Sequence, residues 1–211
     1  MKHSLWVAAL LGTVGTTGFA EQGQMSAGLG LSTVGPQLQL GYKYSNNIGF
    51  RGFFAGGISE SRSQTESDIK YDAKANLGGI GLLVDYYPMN NGLKLSGGLF
   101  KSNTDITMKS TITAPTTVGN TSYTSCTIDG KVEFARDVSP MIAVGYDYNL
   151  GSNWTLGAEL GAILNDGFKA TATATGPITQ ADLDAELKDL QDALSSTKML
   201  PYISVMATYR F

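Results

Sequence analysis

The sequence predicts an all-β fold: an eight-stranded antiparallel up-and-down transmembrane β-barrel with one short helix in its last extracellular loop. Three observations predict it. Apolar residues recur at every second position in eight separate stretches, the period of a strand. The connections alternate between short Asn/Gly/Ser turns and long polar segments, as outer-membrane barrels are built. In each strand the bulkier apolar set faces a set rich in glycine and polar residues. That suits lipid outside and a crowded interior better than a soluble sandwich.

The chain begins with MKHSLWVAALLGTVGTTGFA, residues 1–20. Lys2 gives a basic start, residues 5–11 are apolar, and Gly18-Phe19-Ala20 close it with small residues. This is a secretory signal peptide with cleavage expected between Ala20 and Glu21, leaving 21–211 as the barrel domain. No run of eighteen apolar residues follows, so a membrane helix is not expected after it. Removing 1–20 takes away one Lys and no acid, leaving 14 basic and 18 acidic residues, a formal charge of −4. A weakly acidic chain without a basic cluster gives no support for binding nucleic acid. The only histidine, His3, leaves with the signal peptide, and Cys126 is the only cysteine. An internal disulfide is therefore impossible.

The expected outward faces follow in order. The first four are Met25, Ala27, Leu29, Leu31; Pro36, Leu38, Leu40, Tyr42, Tyr44; Ile48, Phe50, Gly52, Phe54, Gly56, Ile58; and Ile80, Leu82, Val84, Tyr86. The next three are Leu93, Leu95, Gly97, Leu99; Val138, Pro140, Ile142, Val144, Tyr146, Tyr148; and Trp154, Leu156, Ala158, Leu160, Ala162, Leu164. Ile203, Val205, Ala207, Tyr209 and Phe211 make the eighth. Short turns at 45–47, 89–92 and 149–153 alternate with long segments at 59–70, 103–130 and 170–198, Val34-Gly35 being the exception. Ten strands is the alternative, if the segment 103–130 itself crosses the membrane. Tyr42, Tyr44, Phe50, Tyr86, Tyr146, Tyr148, Trp154, Tyr209 and Phe211 lie outward near short turns or the C-terminus. They form one interfacial girdle of rings at headgroup level.

Seven inward positions are charged: Lys43, Arg51, Lys94 and Arg210 against Asp85, Asp147 and Glu159. An interior just wide enough for its own side chains leaves an unpaired charge costly, so these groups are expected to pair and plug the lumen. The inward glycines Gly28, Gly30, Gly57, Gly81 and Gly161 leave room for the opposite reading, a narrow path. The segment ITQADLDAELKDLQDALSS carries the only helical signal. Thr179 is its expected N-cap with Asp182 three residues on, and Ile178 staples against Leu183. Leu183, Leu187, Leu190 and Leu194 recur at helical spacing and are expected to pack on the protein's own loops. The Ser/Thr-rich segment 110–130, STITAPTTVGNTSYTSCTIDG, is expected to extend two strands as a hairpin, and an exposed Cys126 there could link two molecules.

A signal peptide, eight alternating strands and a terminal YRF resemble the small Gram-negative outer-membrane barrels of OmpA, OmpX and OmpW type. The resemblance implies that Phe211, with Tyr209 two residues before it, is the signal read by the barrel assembly machinery. It implies a place in the cell outer membrane, among lipid and lipopolysaccharide, with both termini periplasmic. The chain ends at the barrel, so the peptidoglycan-binding domain of full-length OmpA is not expected.

Two functions are expected to compete. One is a non-enzymatic structural or surface-interaction barrel, plugged by its charge network. The other is a narrow passive channel for small solutes or hydrophobic compounds, as OmpW-type resemblance implies. Enzymatic barrels of this kind use a catalytic histidine, which the mature chain lacks, and no spacing offers a substitute base. Glycine stretches on strands without a following helix do not cradle phosphate, so no cofactor is expected and no metal site either.

Overall fold

A computed structural model of the chain describes residues 23–66, 69–89, 91–113, 115–118, 121–195 and 197–211. The signal peptide and its cleavage junction lie outside the described residues. The strands are β1 (Met25–Ser32), β2 (Gly35–Lys43), β3 (Ile48–Glu66), β4 (Ile69–Tyr86), β5 (Leu93–Ser102), β6 (Asp105–Ile112) and β7 (Thr116–Val118). They continue with β8 (Thr121–Tyr123), β9 (Cys126–Phe134), β10 (Val138–Asn149), β11 (Trp154–Leu164) and β12 (Phe168–Thr175). The helix α1 (Gln180–Ser195) and β13 (Met199–Arg210) follow.

Eight of these strands close a ring in the order β1-β2-β3-β4-β5-β10-β11-β13, and β13 returns to β1. Every pairing is antiparallel, from Ser26 opposite Arg210 at the seam to Trp154 opposite Tyr209. The segment 103–130 does not cross the ring, so eight strands, not ten, is the architecture. Leu29, Leu40, Leu82, Leu99, Val144, Leu160 and Val205 stand exposed around the outer wall. An apolar wall of this extent would be an aggregation surface in water and is ordinary against lipid. At the end where β1 begins and β13 finishes, the connections are short. Gly92 and Gly151 hold φ of +95° and +97° in two of these turns, where an L side chain would be strained.

At the opposite end the hairpin expected of the Ser/Thr-rich segment is present as the antiparallel pair β6 and β9, but the other long segments differ from the loops the sequence suggests. The long segments are mostly strand. The upper halves of β3 and β4 join β6, β9 and β12 in a sheet that leaves the ring and stands above it. Ser/Thr-rich β-formers explain this, because they fit a pleated surface that needs no deep core. The departure is marked by a bulge in β3, where Ala55 pairs with Gly79 but Ile58 pairs with Leu77. Gly57, at φ +90°, takes up the extra residue. The bulge reverses the alternation, so Ile58 shares a face with Leu77 and Gly79 and is not part of the outward set.

One face of the raised sheet is polar throughout. Cross-strand rows such as Ser63, Asp72, Lys109, Asp129 and Thr173 follow from the register. At the tip, the β7–β8 hairpin covers a small core of Ile112, Val118, Tyr123 and Cys126, with Ile178 against it. Cys126 is buried, which removes the expected basis for a link between two molecules, and burial pushes its thiol pKa up.

The helix forms where its signals place it. Thr179 Oγ1 accepts from the Asp182 N–H at 3.3 Å and donates to Asp182 Oδ2 at 2.7 Å. Tyr123 adds a clamp, donating to Asp182 Oδ2 at 2.7 Å while accepting from the Thr179 N–H at 3.2 Å. Leu183 is buried, Leu187 and Leu194 are half-buried, and Leu190 is exposed. The contact face is turned away from Leu190 toward Gln191. That side chain accepts from the Ala170 N–H at 2.9 Å and donates to the Phe168 carbonyl at 2.7 Å. Gln191 thereby stands in for a neighbouring strand at the open edge of β12, a position that would otherwise invite pairing with another chain.

Candidate functional site

The lumen is built in two layers. Nearer the short-turn end is a charged layer. Arg51 on β3 meets Asp85 on β4 through two parallel contacts, Nε to Oδ2 at 2.9 Å and Nη2 to Oδ1 at 3.0 Å. Its Nη1 lies 2.6 Å from Glu159 Oε1 on β11. Lys94 on β5 bridges the same Glu159 oxygen and Asp147 Oδ1 on β10, both at 2.8 Å. Neutral groups take up the remaining valences. Ser96 donates to Asp85 at 2.6 Å, Gln39 accepts from Arg51 at 3.2 Å, and Tyr87 donates to Asp147 at 3.1 Å.

Five of the seven charges singled out from sequence are thus brought into one connected set. Lys43 and Arg210 are not. Neither has a carboxylate within ion-pair distance among the described residues. Lys43 places its ammonium 3.4 Å from the centroid of the Tyr87 ring, a cation–π contact. Arg210 Nη2 donates to the Ser152 carbonyl at 3.1 Å.

Above the charges lies an apolar layer of Phe53, Leu83, Phe100, Met141, Ile163 and Tyr202, all buried in one cluster. Phe53 stacks between Phe100 and Tyr202, with centroids 6.0 and 6.1 Å away. The Tyr202 hydroxyl pairs with the Gln37 side chain at 3.1 Å, so the one polar tip in the layer is satisfied. Except for Gly57, the inward glycines are crowded by their neighbours, Gly28 by Thr208 and Gly161 by the Ile142 carbonyl and Ala143, which corrects the expectation that they leave room. A Cβ on Gly81 would lie 2.1 Å from the Phe53 ring, and one on Gly79 2.3 Å from Phe100. Gly30 does the same for Met206, at 2.2 Å from its sulfur. Gly57 lies in the bulge and faces no side chain within 4 Å.

Below the charged layer a vestibule of about 560 Å³ opens at the short-turn end. Lys43, Arg51, Asp85, Tyr87, Lys94, Asp147 and Arg210 line it, with Gln24, Asn46 and Asn149 between them. Outside, Trp154, Tyr209 and Phe211 form an edge-to-face chain with centroids 5.2 Å apart. The Phe211 N–H donates to the Met25 carbonyl at 2.9 Å, tying the last residue to the first strand.

No protein-family model matches the chain, and no curated protein matches it. Among solved structures, CarO of Acinetobacter baumannii is 19% identical, with 90% of this chain and 98% of that chain covered at a TM-score of 0.57. CarO2 of the same organism is 18% identical, with 91% and 100% covered at a TM-score of 0.61. The fold is that of the small outer-membrane barrels. At such identity the likeness is one of architecture, and the function must be argued from this chain's own lumen and surface.

The apolar layer is what sequence reasoning missed. Its signal was present in Phe53, Phe100 and Tyr202, large rings on the glycine-rich side of their strands. Tyr87 was missed because it lies one residue past the end of β4.

Proposed function

We propose that this is a non-enzymatic outer-membrane barrel with a closed lumen, whose work is done by the sheet and helix raised above the membrane. The observation that carries the reading is the double closure, an aromatic layer stacked on a saturated ion-pair layer. An ion crossing it would have to shed its water among Phe53, Phe100 and Tyr202 and then separate buried pairs. Both steps cost several kcal/mol. The charged layer also speaks against acid–base chemistry, since each carboxylate is committed to a cation.

In this reading both termini are periplasmic and the raised sheet faces outward, among lipopolysaccharide. Tyr209 and Phe211 serve as the signal for the barrel assembly machinery. The polar sheet face offers Lys and Asp side chains to a surface partner, while of the leucine stripe of α1 only Leu190 stands exposed.

The test is conductance of refolded 21–211 in a planar bilayer, beside Glu159→Lys. Silence from protein shown to be folded supports the closed barrel. Discrete openings whose ion selectivity shifts in the variant would make it a narrow channel instead.

A further inference from the structure

The raised sheet has two edges, and only one of them is closed. Gln191 of α1 covers β12, whereas the upper half of β3, at the far side, pairs with β4 alone. Lower down β3 also pairs with β2, but that ladder stops at Ala55. Residues 59–65 are all exposed. Apart from β4, nothing among the described residues bonds to them.

Strand alternation decides which backbone groups look outward. Gly78 accepts from the Asn103 N–H at 2.9 Å and donates to Thr104 Oγ1 at 3.2 Å, both on the β6 side. Leu77, the next residue along β4, therefore addresses β3, and so do Ala75, Ala73 and Tyr71. Their partners Ile58, Glu60, Arg62 and Gln64 spend their N–H and C=O groups on β4. Ser59, Ser61, Ser63 and Thr65 turn theirs to the open edge, a template for one more strand.

The side chains say which strand fits. Glu60 and Arg62 lie opposite Ala75 and Ala73, so neither charge meets a counter-charge across β4. A second copy laid antiparallel, Ser61 opposite Ser61, supplies both. Glu60 then meets Arg62 of the second copy, and Arg62 meets its Glu60. On the other face Ser59 lies opposite Ser63 of the second copy, which brings no like charges together. One pair of residues thus serves both copies, as a two-fold contact requires.

We propose that the open edge of β3 pairs with the same edge of a second copy, antiparallel about Ser61. Symmetry limits where that copy stands. β3 climbs from Phe50 in the ring wall to Ser61 above it, and a neighbour in the same membrane climbs the same way. An antiparallel partner descends, so it comes from a facing membrane, and the contact joins two surfaces. This placement rests on the reading that the raised sheet faces outward; the pairing itself does not.

The test uses refolded 21–211 in nanodiscs of one barrel each, followed by sedimentation velocity at rising concentration. Discs leave both faces free, so pairing is measured whichever way the barrel is inserted in cells, and cysteine labelling of intact cells reports on insertion separately. The unaltered protein is expected to pair discs, and empty discs to stay single. Glu60→Arg and Arg62→Glu, each first shown to be folded by circular dichroism, set like charges opposite one another at both contacts. Each is expected to weaken pairing about tenfold. Mixed in equal amounts, the two variants again present opposite charges and should pair as the unaltered protein does. The proposal is overturned if discs of the unaltered protein stay single at the highest concentration reached. It is also overturned by variants that pair as well as the unaltered protein, or by a mixture that pairs no better than either variant alone.

Discussion

Glu159 is the side chain on which the charged layer turns, since its Oε1 faces Arg51 at 2.6 Å and Lys94 at 2.8 Å. Replacing it by Gln removes the one carboxylate both cations share, leaving Arg51 with Asp85 and Lys94 with Asp147. Losing these charge-assisted contacts costs about 1.5–3 kcal/mol, to be read as a lower urea midpoint for unfolding. An unchanged midpoint would mean that the layer contributes nothing to stability. Gly81→Ala tests the apolar layer from the other direction. Its methyl group meets the Phe53 ring at 2.1 Å, and overpacking of this kind costs about 1–3 kcal/mol. Phe53→Leu in the same chain should recover part of the loss, whereas strictly additive losses would show that the two residues are not in contact. The charges were legible because an inward Arg or Glu breaks a run of small residues. The pairing was not, because register decides which of seven charges meet, and β2 and β13 leave Lys43 and Arg210 at the mouth.

At the scale of elements, α1 and the raised sheet hold each other. The helix start could be read from Thr179 and Asp182, which carry the cap in sequence. Its contact face could not, because the leucine stripe gives a direction but not the neighbour. Gln191 is a polar residue beside the stripe, and only the open edge of β12 makes it a contact. Gln191→Ala should leave the helix in place and expose the Ala170 N–H, seen as faster amide exchange there. Unchanged exchange would show that the edge is protected by something else. Thr179→Ala removes the cap and should cost about 1 kcal/mol of helix stability, with faster exchange across the first turn. The tip core adds a chemical reporter. With its thiol pKa raised by burial, Cys126 holds less reactive thiolate than a free thiol at any given pH. Maleimide labelling of the folded protein should therefore be slow near neutral pH, rise only at higher pH than for an unfolded control, and become fast on unfolding. Labelling at the unfolded rate from the outset would place the thiol in solvent.

For the whole molecule, the sequence revealed the ring better than what stands on it. Period-two alternation is a local signal, so all eight spanning strands could be found one at a time. The raised sheet has no lipid to enforce alternation, and its rows of Ser, Thr, Lys and Asp look like loop until β4, β6 and β9 are aligned. Short turns and the first and last described residues share one side of the barrel, while the sheet and helix occupy the other. The proposed direction of insertion is therefore testable with two single cysteines in a Cys126→Ser background. Ser61→Cys lies on the raised part of β3, and Ser152→Cys lies in the short turn between β10 and β11, both at exposed positions. A membrane-impermeant maleimide added to intact cells should label Ser61→Cys at once. Ser152→Cys should react only after the outer membrane is opened. Labelling in the reverse order would turn the barrel over, placing the raised sheet in the periplasm and the vestibule at the cell surface.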